Sequence, residues 1–302
     1  MSVSSIILIV MAVILSLSVL ALLIISAVLC IMLSYPKRFT KEFTHRCDVE
    51  KGLIDIEIEN YERKPYIITM SDGYLIHADF IPYHNSKKFV IIAHGYTWDK
   101  EGSLKYAKVF HSLGYNCIIY DERSHGDNKH KAVTMGAKES RDLHEIIQHS
   151  YRRYGSDIHI GLHGESLGAA TVLLSARYND IIDFIISDCA YADLTELLKY
   201  KLNLMHLPHF LLKICAVYLF VFQHYRLNKI KPAEAEKNIK CPVLIIHGAM
   251  DDFIPPEHAE KIFQNIPSKK NIILFDNANH SESIIKDPVR YKNAVSSFLA
   301  DI

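Results

Sequence analysis

The sequence predicts an α/β protein: a mostly parallel central sheet with helices on both faces, a helical cap insertion, and one transmembrane helix ahead of the domain. Three observations carry that expectation. From Phe89 onward, short apolar runs alternate with stretches of helical period. The pentapeptide Gly164-Glu165-Ser166-Leu167-Gly168 stands between an apolar run and a helical one. No charged residue occurs from Ile6 to Leu33, where the only hydroxyls are Ser16, Ser18 and Ser26.

Taken in order, the charge-free block comes first. At about 1.5 Å per residue it exceeds a hydrocarbon core of about 30 Å, so it can span a bilayer with tilt. A secretory signal peptide is the rival reading. It calls for a basic n-region, a shorter apolar core and a small-residue cleavage site, and the block shows none of them. Residues 1–34 are therefore expected to be a single-pass cell-membrane anchor, with the lipid bilayer as partner of residues 6–33. Lys37, Arg38, Lys41, Arg46 and Lys51 follow it and no basic residue precedes it, which places the remaining chain in the cytoplasm.

Residues 35–51 are polar and mixed and read as a juxtamembrane linker; residues 52–302 then make one domain. Ile54 to Glu59 alternates apolar and acidic residues and reads as a strand. Tyr66 to Met70 and Tyr74 to Phe80 read as an antiparallel pair about the turn Ser71-Asp72-Gly73. Phe89 to Ala93 and Asn116 to Tyr120 are buried strands, with a helix from Ser103 that Gly114 stops. A helix near Lys138 to Tyr154 puts Leu143, Ile146 and Ile147 on one face. The strand before Ser166, its helix and the strand Ile182 to Ile186 follow.

The rhythm breaks over about residues 191–240, the cap insertion, whose middle from Phe210 to Phe222 is apolar but for Lys213. Three readings stand for it: a lid over a greasy pocket, a segment dipping into the membrane surface, or ordinary helix packing. It is too short for a second span. Strands at Val243 to Ile246 and Ile272 to Phe275, and helices near Pro256 to Asn265 and Pro288 to Leu299, close the domain.

Chemistry centres on Ser166. A serine on a sharp strand-to-helix turn is lifted clear of the sheet, and side chains at Gly164 and Gly168 would clash with the neighbouring strand and helix. It needs a base and an acid to orient the base. His280 follows the last strand. The loop after the preceding strand carries Asp251 and Asp252. All lie at C-terminal strand ends, where open α/β sheets place their sites. Two backbone N–H groups for an oxyanion hole are expected from Leu167 and Tyr96, with Gly95 letting the chain turn close to the serine.

The matching stretches are H-G-Y-T-W (94–98), Y-D-E-R-S-H-G-D (120–127), G-E-S-L-G-A-A-T (164–171), P-V-L-I-I-H-G-A-M-D-D-F-I-P (242–255) and N-H-S-E-S (279–283). On these the chain from about residue 52 to 301 resembles the α/β-hydrolase superfamily, within it the bacterial serine hydrolases of the esterase/acyl-peptidase-like branch. The resemblance implies the α/β-hydrolase fold and a Ser-His-Asp triad. It assigns the acid to Asp251 over its neighbour Asp252. It implies no substrate.

The bland readings stand beside these. His94 and His247 are expected to brace turns rather than bind metal. Arg123 and Asp127 are expected to structure their loop, and Glu165 to act locally on charge. Trp98 lines the acyl pocket or simply packs. Balanced charge, 34 basic against 34 acidic side chains, speaks against nucleic acid as a partner. The six cysteines show no disulfide or zinc spacing.

The function expected is therefore a membrane-anchored, carboxylesterase- or lipase-like serine hydrolase. It would act on a small-molecule acyl substrate through an acyl-enzyme and without a cofactor. A peptidase or thioesterase of the same fold is the alternative, and a non-catalytic anchored binding module is the reading from another class.

Overall fold

A computed structural model describes residues 2–178, 181–235 and 239–302. Met1 of the expected anchor and residues 236–238 of the expected cap lie outside the described residues.

Eight strands form one sheet: β1 (Lys64–Thr69), β2 (Leu75–Ile81), β3 (Lys88–Ala93), β4 (Asn116–Tyr120), β5 (His159–Glu165), β6 (Phe184–Asp188), β7 (Val243–Gly248) and β8 (Lys270–Phe275). Their order is β1-β2-β4-β3-β5-β6-β7-β8. β1 pairs antiparallel with β2 and β2 with β4; every other pairing is parallel. The continuous apolar runs of β3 and β4 follow from burial on both faces.

Alternation along each strand divides the core in two. Ile91, Ile118, Leu162, Ile185 and Ile245 point to one face. There they meet Leu143, Ile146 and Ile147 of helix Glu139–Tyr154, Val172 and Leu173 of helix Leu167–Ser175, and Ile262 of helix Glu257–Asn265. Val90, Ile92, Ile119, Ile186, Leu244 and Ile246 point the other way. They meet Tyr106 and Phe110 of helix Leu104–Ser112 and Tyr291, Val295 and Phe298 of helix Pro288–Ala300. Each large side chain buried this way contributes roughly 1.5–3 kcal/mol. The sheet is thereby held rigid under the loops at its C-terminal edge.

In chain order the helices are α1 (Val3–Ser34), α2 (Lys41–Glu50), α3 (Ile56–Glu59), α4 (Leu104–Ser112), α5 (Glu139–Tyr154), α6 (Leu167–Ser175), α7 (Leu194–Leu204), α8 (Leu211–Gln223), α9 (Pro232–Ala235), α10 (Glu257–Asn265), α11 (Ser283–Lys286) and α12 (Pro288–Ala300). Among the described residues α1 is the one helix long and apolar enough to cross a membrane, with a mean hydropathy of 3.2 over its most apolar stretch. The side chain of Ser2 caps its first turn by accepting from Ser5 N–H.

Two segments depart from the sequence reading. The residues expected as a polar linker contain α2, capped by Thr40, with Thr44 and Asp48 buried against the domain. The strand expected at Ile54 to Glu59 is instead the single turn α3. Its cap is Asp55, whose carboxylate accepts from Ile58 N–H at 3.3 Å. Ile54 and Ile58, four apart, share a buried face, while Ile56 is 71% exposed. The alternating pattern satisfied a helical turn as well as a strand, and the capping aspartate decided between them.

The cap follows β6 as α7, α8 and α9. A third core cluster joins it to the end of α1: Cys30 packs with Val133, Leu167, Leu194, Cys215 and Leu219, flanked by Leu29, Leu33 and Tyr96.

Candidate active site

Ser166 closes β5 and precedes α6 with φ 55° and ψ −111°, a conformation a non-glycine residue rarely adopts and one that stores about 1–3 kcal/mol of strain. The surroundings force it. Ser166 N–H donates to Asp188 O at 2.8 Å, and Ser166 O accepts from Ala170 N–H at 3.0 Å. A Cβ on Gly164 would lie 2.2 Å from Gly168 O, and one on Gly168 would lie 2.2 Å from Ala93 O. Strand, turn and helix approach closely enough that only glycine fits at either position.

Ser166 Oγ lies 2.8 Å from His280 Nε2, and His280 Nδ1 lies 2.7 Å from Asp251 Oδ2. The three side chains come from the loops after β5, β8 and β7, and form one continuous hydrogen-bonded line. Asp251 is buried and faces His280, whereas its neighbour Asp252 is exposed. The second Asp251 oxygen accepts from Phe253 N–H at 2.9 Å and Ile254 N–H at 2.8 Å. Burial alone would raise the Asp251 carboxyl. Hydrogen bonds from His247, His280 and the Ile254 backbone override it and hold the group well below the usual carboxylate range.

The loops that carry Asp251 and His280 are joined by Ala249 N–H to Phe275 O at 2.9 Å and Met250 N–H to Ala278 O at 3.0 Å. Gly248 permits this approach, since a Cβ there would sit 2.3 Å from Ala278 O. Positive φ also recurs beside the serine at Cys189 and Ser281, whose Sγ and Oγ are 3.4 Å apart.

Of the two residues expected to supply oxyanion N–H groups, Leu167 opens α6 directly after Ser166, and Tyr96 follows Gly95 in the loop after β3. A Cβ on Gly95 would be 3.6 Å from Ser166 Cβ, so this loop runs beside Ser166. His94 braces it: Nε2 accepts from Glu122 N–H at 2.9 Å, and Nδ1 lies 2.8 Å from Gly95 O. Burial lowers the His94 pKa, in keeping with a neutral ring that accepts at one nitrogen. The Tyr96 hydroxyl donates to Met32 O at 2.8 Å and Leu33 O at 3.0 Å, tying the loop to the last turn of α1.

The remaining polar residues find structural work. Arg123 grips Asp142 through two nitrogens at 2.6 and 2.7 Å and reaches Asp72 at 3.0 Å; Asp127 pairs with Lys100 at 2.9 Å. Trp98 packs beside Phe39 and the Lys51 and Lys105 ammonium groups, which takes it under α2. Glu165 is buried behind the serine and receives Lys105 Nζ at 3.0 Å, with Asp48 of α2 at 3.9 Å from the same nitrogen. Burial alone would neutralise both partners, yet their attraction raises Lys105 and lowers Glu165. Asp188 beside them is pushed up to about 7 by burial and by Glu165. Lys105 carries no motif that marks it, and sequence reasoning missed it. Gly248 lay inside a recognised stretch, but its close approach to Ala278 shows only in three dimensions.

The cap reaches the site from above. Phe253 faces the His280 ring at 4.8 Å, and Lys201 of α7 lies over Phe253 at 3.7 Å. The hydroxyl of Tyr200 donates to Asp252 O at 3.0 Å.

Comparison with known proteins agrees with this architecture. Residues 103–300 match the prolyl oligopeptidase family. The uncharacterized protein YqkD of Bacillus subtilis is 32% identical, over 92% of this chain and 93% of its own. The uncharacterized membrane protein YNL320W of Saccharomyces cerevisiae is 25% identical, over 64% of this chain and 63% of its own. Among solved structures, an esterase of Pyrococcus furiosus superposes with a TM-score of 0.68 at 24% identity, over 81% of this chain and 92% of that one, a likeness of fold.

Proposed function

The chain belongs to the prolyl oligopeptidase family of α/β-hydrolases, and on that footing we propose that it is a membrane-anchored serine hydrolase cleaving an ester or related acyl bond. The observation that carries the reading is the unbroken line Ser166 Oγ–His280 Nε2 and His280 Nδ1–Asp251 Oδ2, at 2.8 and 2.7 Å. In this mechanism Ser166 Oγ attacks the acyl carbon while His280 Nε2 takes its proton. Asp251 fixes the His280 tautomer and stabilises the imidazolium. The N–H groups of Leu167 and Tyr96 hold the oxyanion, and the α6 N-terminus favours the charge developing there. His280 returns the proton to the leaving group, and the acyl-enzyme forms. A water deprotonated by His280 then attacks that ester and releases Ser166.

An ester is favoured over an amide by the apolar surface of the cap, with Cys215 and Leu219 of α8 in the same cluster as Leu167. A peptidase is the second reading, favoured by the family that residues 103–300 match. Wild type, Ser166→Ala and His280→Ala, each assayed on short- and long-chain p-nitrophenyl esters and on aminoacyl p-nitroanilides, test both. Ester turnover lost in the variants supports the proposal; turnover confined to the anilides moves it to the peptidase. Rates in the variants equal to wild type on every substrate would leave a binding module.

In this reading α1 crosses the cell membrane and the domain lies in the cytoplasm, on the strength of the basic residues that follow α1. A phosphatase reporter fused after Ile302 that is active only outside the cell would reverse that orientation.

A further inference from the structure

The anchor is longer than a bilayer needs, and the surplus is built into the hydrolase. α1 has 32 residues, about 48 Å at 1.5 Å per residue, against a hydrocarbon core of about 30 Å. Its buried residues are Ser26, Cys30 and Ser34, one face over the last turns, and α8 covers them. Cys215 Sγ lies 3.3 Å from Ser26 O, and Gln223 Nε2 donates to Ser34 Oγ at 2.6 Å. Both contacts advance by eight residues on each helix, so α8 runs parallel to α1 and in step with it. The N-terminal end of α8 and the α7–α8 corner therefore point back toward the part of α1 that enters the membrane.

The α7–α8 corner and the outward face of α8 are apolar and uncovered. Val221 and Phe222, at the far end of α8 beside the last turn of α1, are 52 and 68% exposed; Val217 midway is 64% exposed, and Met205 and Phe210 at the corner are about half exposed. Beside them a groove of about 490 Å³ is lined by Phe210, Leu212, Ala216 and Leu227, with Lys199 and Lys213 among its walls. An apolar face edged by lysines complements a bilayer with anionic headgroups. The catalytic loops are adjacent: Tyr96 bonds the carbonyls of Met32 and Leu33, and Leu167 packs in the same cluster as Cys30 and Cys215.

We propose that the exposed face of α8 and the α7–α8 corner dock into the surface of the bilayer that α1 enters, so that the cleft at Ser166 draws its acyl ester from the lipid phase. This rests on the serine-hydrolase and anchor readings above. The last turns of α1 are then a wall of the substrate path, and the substrate class is a membrane-borne acyl ester.

The test uses the full chain reconstituted in vesicles of phosphatidylcholine and phosphatidylglycerol. Phe210→Asp with Val217→Asp charges the membrane-ward part of the exposed face, and Phe210→Leu with Val217→Leu keeps it apolar. Each pair is assayed on soluble p-nitrophenyl acetate and on a fluorogenic long-chain ester dissolved in the vesicles. A carbene-generating lipid in the same vesicles labels whatever wild-type peptide meets the lipid phase. The expected result has three parts. The aspartate pair keeps soluble turnover within about twofold but loses about tenfold or more on the vesicle ester. The leucine pair keeps both. The wild-type peptide spanning α8 takes the lipid label along with α1. Vesicle turnover unchanged in a folded aspartate pair, or a labelled α1 beside an unlabelled α8, overturns the proposal and leaves the face to a protein partner. If the aspartate pair fails to fold, the label on wild type decides. If wild type hydrolyses the soluble ester no faster than Ser166→Ala, the hydrolase reading is what has failed, and the label still decides the docking.

Discussion

His247 Nε2 lies 3.3 Å from Oδ2 of Asp251, the same carboxylate oxygen that meets His280 Nδ1 at 2.7 Å. Both His247 and Asp251 are buried, and the His247 ring is itself held by Ile254 O at 2.8 Å. The sequence reading gave His247 a turn-bracing role. The geometry adds that the brace bears on the acid. His247→Ala is expected to lower kcat about tenfold, the equivalent of one charge-assisted hydrogen bond, with KM changed less than about twofold. Steady-state kinetics on p-nitrophenyl acetate check the split.

The depressed Asp251 pKa sets a pH window for stability. Its folded value lies below the unfolded value of about 3.9, so the unfolded chain binds this proton more readily and stability rises with pH between the two. The contribution is complete above about pH 5 and is lost as pH falls through the folded pKa. Wild type and Asp251→Asn are expected to differ by a constant amount from about pH 5 to 7. The difference should shrink below about pH 4. Urea unfolding followed by the fluorescence of Trp98, the one tryptophan, measures it.

Lys105 holds Glu165 in a buried site. Lys105→Met leaves that carboxylate buried beside Asp48 and Asp188, and is expected to destabilise the fold by about 3–5 kcal/mol. Adding Glu165→Gln removes the stranded charge and should recover most of the loss. A thermal-shift series over the two single variants and the double shows the coupling, and purely additive effects would count against it.

Gly168→Ala places a methyl 2.2 Å from Ala93 O, a backbone atom that cannot swing aside. Either β3 and α6 separate or the Ser166 turn relaxes. A loss of about 1–3 kcal/mol is expected, together with a fall in ester turnover larger than that of Gly73→Ala, whose Cβ meets nothing within 4 Å and which strains only the β1–β2 turn at φ 77°.

Most of the fold was legible because buried parallel strands and amphipathic helices leave strong periodic signals. β3, β4, β7 and the helices that cover them fall within a few residues of their expected places. The convergence of Ser166, His280 and Asp251 was legible because each lies in the loop after a strand and the strand ends are neighbours. What stayed hidden depends on contacts distant in sequence. Thr44 and Asp48 sit in a polar stretch with no apolar stripe, so nothing local announced that α2 is buried against Lys105 and Trp98. α3 was misread because Ile54, Ile56 and Ile58 fit both periods, and only the Asp55 cap distinguishes them. The parallel seam of α1 and α8 rests on Ser26, Cys30 and Ser34, small residues at four-residue spacing. Small residues there suit a helix interface, but they do not say which helix will come.

The proposed mechanism requires Ser166 to be an activated nucleophile. Labelling full-length protein in membranes with a fluorescent fluorophosphonate tests it most directly, comparing wild type with Ser166→Ala and His280→Ala. A labelled band is expected in wild type, with the adduct mapped to Ser166, and its loss is expected in both variants. A folded wild type that takes no label, or a band that survives Ser166→Ala, would contradict it.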